Sequence, residues 1–176
     1  MGSALRSAQS QGIYRAVGKR VAGEISITMA SPADLAYVHS RLSPGIPYEP
    51  APSSNLVTRF VAMRSRRVTG FVELVRHPPE HAPYIGHWLF SLNVLDPWCR
   101  GLGIGEALAR HVVGCARREG ARELWLVVGE ANGPAIALYR KLGFERAAVV
   151  GLEELLEEEA RTTGKRRITM VHRMQE

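Results

Sequence analysis

Cysteine and lysine are scarce in this 176-residue chain. Cys99 and Cys115 are its two cysteines, and Lys19, Lys141 and Lys165 its only lysines. Two thiols cannot build a disulfide framework. Long hydrophobic runs are absent as well. An apolar run such as Trp125 to Val128 is far short of the roughly 18 residues a membrane helix needs, so no membrane partner is expected. No apolar signal segment opens the chain, and a cytoplasmic location is expected. Long blocks of like charge are missing too. Arginine supplies most of a net charge of +6, but it is scattered, with only pairs at Arg66-Arg67, Arg117-Arg118 and Arg166-Arg167. Such scatter speaks against a nucleic-acid tail and leaves a small polyanion as the fitting partner.

What is present suits one domain: 45% hydrophobic residues supply a core for a chain of this length. Met1 to Ala22 is basic and lacks acids, so residues 1–22 read as a loosely ordered N-terminal extension, with a transit peptide as the lesser alternative. Residues 23–176 read as a single domain with no internal repeat.

Ile25, Ile27 and Met29 alternate as in a first strand. Ser31 and Pro32 open a helix that runs to about Leu42. Residues 43–54 form a proline-rich loop that either bears substrate contacts or merely connects. Leu56 to Met63 and Val68 to Val75 are branched, apolar segments that read as a hairpin closed at Arg64 to Arg67. His87 to Leu95 is the fourth predicted strand, ended by Asp96-Pro97. An amphipathic helix follows over Gly103 to Glu119, with Gly120 as its stop. Glu123 to Val128 is the fifth strand and Gly133 to Leu142 a short helix. Phe144 to Val150 reads as another strand, Glu153 to Glu159 as a solvated helix or loop, and Arg167 to Met174 as the closing strand.

Arg100-Gly101-Leu102-Gly103-Ile104-Gly105 lies between a predicted strand and a predicted helix. Glycines let a backbone approach a phosphate closely. Free N–H groups and the helix dipole then favour an anion. A tight turn without any ligand satisfies the same residues. Two other phosphate motifs fail: no Lys-Ser/Thr follows as a P-loop requires, and the third glycine comes one place too early for a dinucleotide fingerprint.

The segment resembles the GCN5-related N-acetyltransferases, the GNAT family, whose signature Arg/Gln-x-x-Gly-x-Gly/Ala is met by Arg100, Gly103 and Gly105. A second signature, an asparagine followed seven residues later by tyrosine and then Leu-Gly-Phe, is met by Asn132, Tyr139 and Leu142-Gly143-Phe144. The resemblance is specific from Ser91 to Phe144. It implies an α+β fold of three layers, α/β/α, around a mixed, mostly antiparallel sheet with a splay between the fourth and fifth strands. It further implies acetyl-CoA as cosubstrate, held along Asn93, Val94 and Leu95, with its pyrophosphate on Arg100, Gly101, Leu102, Gly103, Ile104, Gly105 and Glu106. Asn132 would bond the pantetheine arm or serve as a helix N-cap, or both. Tyr139 is the implied general acid for the leaving thiolate and one of the implied cofactor-binding residues, a core-packing tyrosine being its alternative. A backbone N–H near Leu95 would meet the oxyanion.

The implied reaction is direct transfer of an acetyl group to a primary amine in a ternary complex. The general base is open. Where many relatives carry glutamate this chain has Val127; Glu73 is the named candidate, beside Glu49, His87, Ser91 and an ordered water. His77, His81 and His87 lack the spacing of a zinc site, and nothing pairs Cys99 with a histidine, so neither metal nor covalent catalysis is expected. The expected acceptor is a small-molecule or peptide amine; a homodimer is left open. A non-catalytic acyl-CoA-binding or sensing module with the same fold is the alternative function.

Overall fold

Hydrophobic alternation, two-residue turns and glycine stops build the sheet and its helices. The computed structural model describes residues 12–14, 24–49 and 54–175. Most of the expected N-terminal extension, and residues 50–53 of the proline-rich loop, lie outside the described residues. Within that extension, Gly12–Tyr14 forms a short strand, β1, antiparallel to β2 (Ile25–Met29). The sequence reading had assigned no element there.

Helix α1 (Pro32–Leu42) starts as its residues dictate. Ser31 accepts from the Asp34 N–H at 3.2 Å, while the Asp34 carboxylate accepts from the Ser31 N–H at 2.9 Å, a reciprocal capping box. The predicted hairpin is β3 (Val57–Arg64) and β4 (Arg67–His77), joined through Ser65 and Arg66 at φ 49° and 62°. Two positive φ values give the mirror-image turn whose twist matches paired strands. After β5 (Gly86–Val94), helix α2 (Ile104–Arg118) crosses to β6 (Glu123–Gly129). Then come α3 (Gly133–Lys141), a two-residue β7 (Glu145–Arg146), α4 (Leu152–Thr163) and β8 (Arg167–Arg173).

One C-terminal expectation changes and another is narrowed. The apolar run to Val150 does not stay in strand: Gly151, at φ 82°, turns the chain into α4, and Val150 is left 97% exposed. The acidic stretch is a helix rather than a loop, because Leu152 and Leu156 recur at one face and are both buried.

The sheet order is β1-β2-β3-β4-β5-β6-β8-β7, antiparallel at every pairing except the parallel β5–β6. On one face, Ile104, Leu108 and Val112 of α2 pack with Phe60, Val72, Leu89 and Leu126, and Tyr139 joins the same core. On the other, Val38 of α1 packs with Val61, Phe71 and Leu95, and Leu152 and Leu156 of α4 pack with Val75 and Trp88. Three layers result, as implied by the resemblance.

Candidate functional site

The parallel pair β5–β6 opens almost as soon as it forms. Only His87 and Trp88 find partners, Leu124 and Trp125; beyond them β6 goes on pairing with β8 while β5 diverges. A bulge accompanies the divergence. Phe71 pairs with Asn93 and Glu73 with Phe90, so Ser91 and Leu92 stand opposite the single residue Val72. Ser91 takes φ 53°, and the Asn93 side-chain amide donates to the Ser91 carbonyl at 2.9 Å, closing the bulge. An extra residue bends its strand and sharpens its twist, which carries the end of β5 away from β6.

Backbone direction selects among the three residues expected to face the gap. The Leu95 N–H donates to the Thr69 carbonyl at 2.9 Å, on the β4 side. Main-chain groups alternate sides along an antiparallel strand, so Asn93 also faces β4 while Val94 presents N–H and C=O to the splay. Of the N–H groups near Leu95, its own is thus engaged with β4, and that of Val94 faces the splay.

The glycine loop lies at the end of this strand. Gly101 and Gly103 hold φ 74° and 81°, which a side chain would make costly, and Gly103 is the N-cap of α2 without any side-chain cap. The first intrahelical bond is Ala107 N–H to the Gly103 carbonyl at 2.9 Å. The N–H groups from Gly103 to Glu106 thus have no helical acceptor. Arg100 is exposed beside them. Glu106 puts an acid in the same turn, but Lys141 at 2.6 Å and Arg110 at 2.9 Å neutralise it. Its carboxyl is held below the ordinary range by the Lys141 hydrogen bond first, against the opposing effect of burial.

Close packing fixes that loop. A Cβ on Gly105 would lie 3.4 Å from Leu138 of α3, 3.6 Å from Leu92 and 3.9 Å from Val94, so β5, α2 and α3 converge there. Gly70 was not singled out from sequence. A Cβ on it would sit 2.7 Å from Ile104 and 2.8 Å from Leu108, so its missing side chain seats the first turns of α2 on β4.

Asn132 is the N-cap of α3, its Oδ1 accepting the Ala135 N–H at 3.2 Å. The cap uses only the oxygen and leaves the amide nitrogen to donate. Tyr139 is 6% exposed and packs against Phe144 with ring centroids 5.6 Å apart. Burial pushes its hydroxyl pKa up to about 12.

Across β5, α1 and its following loop enclose a cavity of about 300 Å³. Leu35, Val38 and Phe71 give it apolar walls, and Glu73, Arg59, Ser91, Asn93, Glu49 and His39 give it polar ones. Glu73 is held from both sides: Arg59 Nε donates to Oε1 at 3.0 Å and Ser91 Oγ donates to Oε2 at 2.8 Å. Of the base candidates, Glu73, Glu49 and Ser91 share this cavity. His87 does not; it lies 3.1 Å from Glu119 at the far end of α2, in a cluster with Arg76. Val127, like Phe90, Trp125 and Val149, packs against the apolar cluster of Val75, Trp88, Leu152 and Leu156. Arg59 was missed by sequence reading, since only the β3–β4 register sets it opposite Glu73. Among the described residues no group of three or more metal-ligating side chains occurs.

These features define a class: a three-layer domain whose sheet is splayed beside an anion-ready helix start. A family model described as the Acetyltransferase (GNAT) family matches residues 31–144, and the chain belongs to that family. Similar proteins include the streptothricin acetyltransferase of Streptomyces lavendulae, 42% identical over 87 residues, covering 47% of this chain and 44% of that protein. The alanine N-acetyltransferase of ribosomal protein bS18 from Escherichia coli K12 is 41% identical over 61 residues, 35% of this chain and 40% of that protein. The matches thus span less than half the length of these curated relatives. Among solved structures, Ard1 from Thermoplasma volcanium superposes with a TM-score of 0.63 at 21% identity, covering 86% of this chain and 99% of that one. A streptothricin acetyltransferase from Bacillus anthracis, described as putative and in complex with acetyl coenzyme A, superposes with a TM-score of 0.56 at 17% identity, over 70% and 66%.

Proposed function

We propose that the chain is an acetyl-CoA-dependent N-acetyltransferase acting on a primary amine by direct attack in a ternary complex. The carrying observation is the splay of β5 from β6, with Val94 facing the gap and the glycine loop at its end. An extended amide-bearing arm can complete the open strand edge by main-chain hydrogen bonds. Acetyl-CoA supplies such an arm, an anionic pyrophosphate and an activated thioester.

In this reading the N–H groups of residues 103–106 receive the pyrophosphate, and Arg100 adds charge. Asn132 caps α3 with its oxygen and donates its nitrogen to the arm. The Val94 N–H meets the charge that develops on the carbonyl oxygen. Tyr139 donates a hydrogen bond to the departing sulfur. With a pKa of about 12 the hydroxyl still carries its proton when the thiolate departs. The acceptor enters the cavity on the opposite side of β5, where Glu73 serves as base. That cavity's size fits one small amine or the end of a peptide. The relatives' names supply two test amines, streptothricin and an alanine-initiated peptide. Unpaired thiols at Cys99 and Cys115 suit the cytoplasm.

Calorimetry with acetyl-CoA, followed by a mass-resolved panel of streptothricin, an alanine-initiated peptide, an amino sugar, an amino acid and a polyamine, tests the reading. Stoichiometric binding and one acetylated product are expected. Absence of acetyl-CoA binding at millimolar concentration would sink it. Binding without turnover of any amine would favour a sensing module, the reading that Val127 favours by standing where relatives carry an acid.

A further inference from the structure

We propose that Ser91 is a catalytic residue whose hydroxyl takes the proton of the attacking amine and passes its own to Glu73. The inference rests on the acetyl-transfer reading and supplies the path that Val127 denies to a direct base on β6.

Three observations carry it. The first is conformational. Ser91 sits at φ 53°, a left-handed setting that costs a residue with a Cβ about 1 kcal/mol or more. Glycine would adopt it freely, as at Gly101, Gly103 and Gly143; the other non-glycine residues at positive φ, Ser65 and Arg66, lie in the β3–β4 turn and not within a strand. Here a hydroxyl-bearing residue takes the strain, and Asn93 holds its carbonyl at 2.9 Å.

The second is direction. The Ser91 hydroxyl has one proton, and it is directed to Glu73 Oε2 at 2.8 Å. Its lone pairs are left to accept an N–H from the cavity. Glu73 Oε1 is taken by Arg59, so the carboxylate is reached through Ser91 without breaking that ion pair.

The third is place. Ser91 and Asn93 line the acceptor cavity, and the next residue, Val94, faces the splay. The bulge thus puts the hydroxyl on the acceptor side of the strand whose end offers an N–H to the thioester carbonyl.

The step balances. The amine nitrogen forms a bond to the acetyl carbon, and the carbon–sulfur bond breaks. The nitrogen's proton moves to Ser91 Oγ as the serine proton moves to Glu73 Oε2, leaving a carboxylic acid and an unchanged serine. The sulfur leaves as thiolate, which is protonated with Tyr139 as donor, and exchange with water resets both groups. As the N–C bond forms the nitrogen becomes far more acidic than the free amine, which lets a carboxylate act as the final acceptor. The other titratable or charged groups of the cavity are His39 on α1, Tyr48 and Glu49 on the following loop, and Arg59 on β3. His39 is occupied with the Ile46 carbonyl at 3.0 Å.

Ser91→Gly separates chemistry from structure, because it removes the hydroxyl and relieves the strained φ. With the panel amine that the wild-type protein acetylates fastest, kcat is expected to fall about 10²-fold. Melting temperature should hold or rise, and acetyl-CoA affinity should stay unchanged. Glu73→Gln should lose a similar factor, and the double variant little more. Wild-type turnover by Ser91→Gly overturns the relay, as does a double variant that loses the product of the two single factors. If the wild-type protein binds acetyl-CoA and acetylates none of the amines, the transferase reading falls and the relay with it. In contrast, an active wild type matched by Ser91→Gly removes the relay alone.

Discussion

Single residues show where spacing along the chain is informative and where it is silent. Asn132 and Tyr139, seven positions apart, were legible because both sit on one short helix and the signature is local. The Glu73–Ser91 bond was not. It joins residues on two strands across a bulge, and a one-residue change of register would send those side chains to opposite faces. Tyr139 yields the sharpest test of a role read from sequence. With its hydroxyl pKa near 12, Tyr139→Phe should lower kcat about 10²-fold while leaving acetyl-CoA affinity intact. Steady-state kinetics beside calorimetry checks this; an unchanged kcat at alkaline pH would return Tyr139 to plain core packing. His111 carries a second prediction, this one on stability. It is 3% exposed against Phe60, and burial first, then the Arg118 charge, depress its pKa to about 4. A depressed folded-state pKa means the unfolded chain binds the proton more readily. The associated stability is therefore complete above pH 6.5 and is lost as pH falls towards 4, by up to about 3 kcal/mol. Urea unfolding of His111→Leu at pH 7 and pH 4.5 should show a smaller acid loss than the wild type. Equal losses in the two proteins would assign the acid sensitivity elsewhere.

At the scale of elements, helices with capping residues were read closely and the sheet's irregularities were not. Ser31, Pro32 and Asp34 announce α1, and Gly120 ends α2, because caps are local chemistry. The run from Phe144 to Val150 misled because apolar composition does not say where a strand loses its neighbour; here β7 keeps only Glu145 and Arg146. Gly70 was silent for a similar reason, its need arising from a helix 34 positions later. Gly70→Ala would bring a methyl within 2.8 Å of Ile104 and Leu108, the residues that open α2. Overpacking of this kind costs about 1–3 kcal/mol. The displaced helix start should also weaken acetyl-CoA binding, so a variant destabilised in denaturant titration with unchanged affinity would count against the loop's dependence on this seat. Asn132 caps α3 and is proposed to bond the cofactor arm, and Asn132→Ser divides the two roles. Serine preserves the cap and removes the amide nitrogen. Stability should change by less than about 0.5 kcal/mol, whereas acetyl-CoA affinity should drop roughly tenfold, the loss of one hydrogen bond to the ligand. A drop in stability without a drop in affinity would leave Asn132 a cap alone.

For the whole molecule, the consequence of the splay is that the sheet is held together unevenly. From β2 to β5 the strands are stitched by long antiparallel registers, and β6 is stitched to β8 over seven residue pairs. The two halves meet along the sheet only at His87–Leu124 and Trp88–Trp125, with α2 and its core bridging them. A ligand lying in the gap would bond β5 on one side and α2 and α3 on the other, and so act as the missing length of ladder. Ligand-linked stabilisation follows mass action, so acetyl-CoA at 100 times its dissociation constant should add about 2.7 kcal/mol. Its distribution tells more than its size. Hydrogen exchange should slow most at the Val94 amide, at residues 103–106 and in the first turn of α3, where ligand bonds replace water. It should change little in β2 and β3, which are remote from the gap and paired over Ile25–Met29 and Phe60–Arg64. Protection spread evenly over every strand would indicate global stabilisation without a local slot. Protection confined to residues 103–106 would show a phosphate cradle that does not use the open strand, and either pattern would detach the splay from cofactor binding.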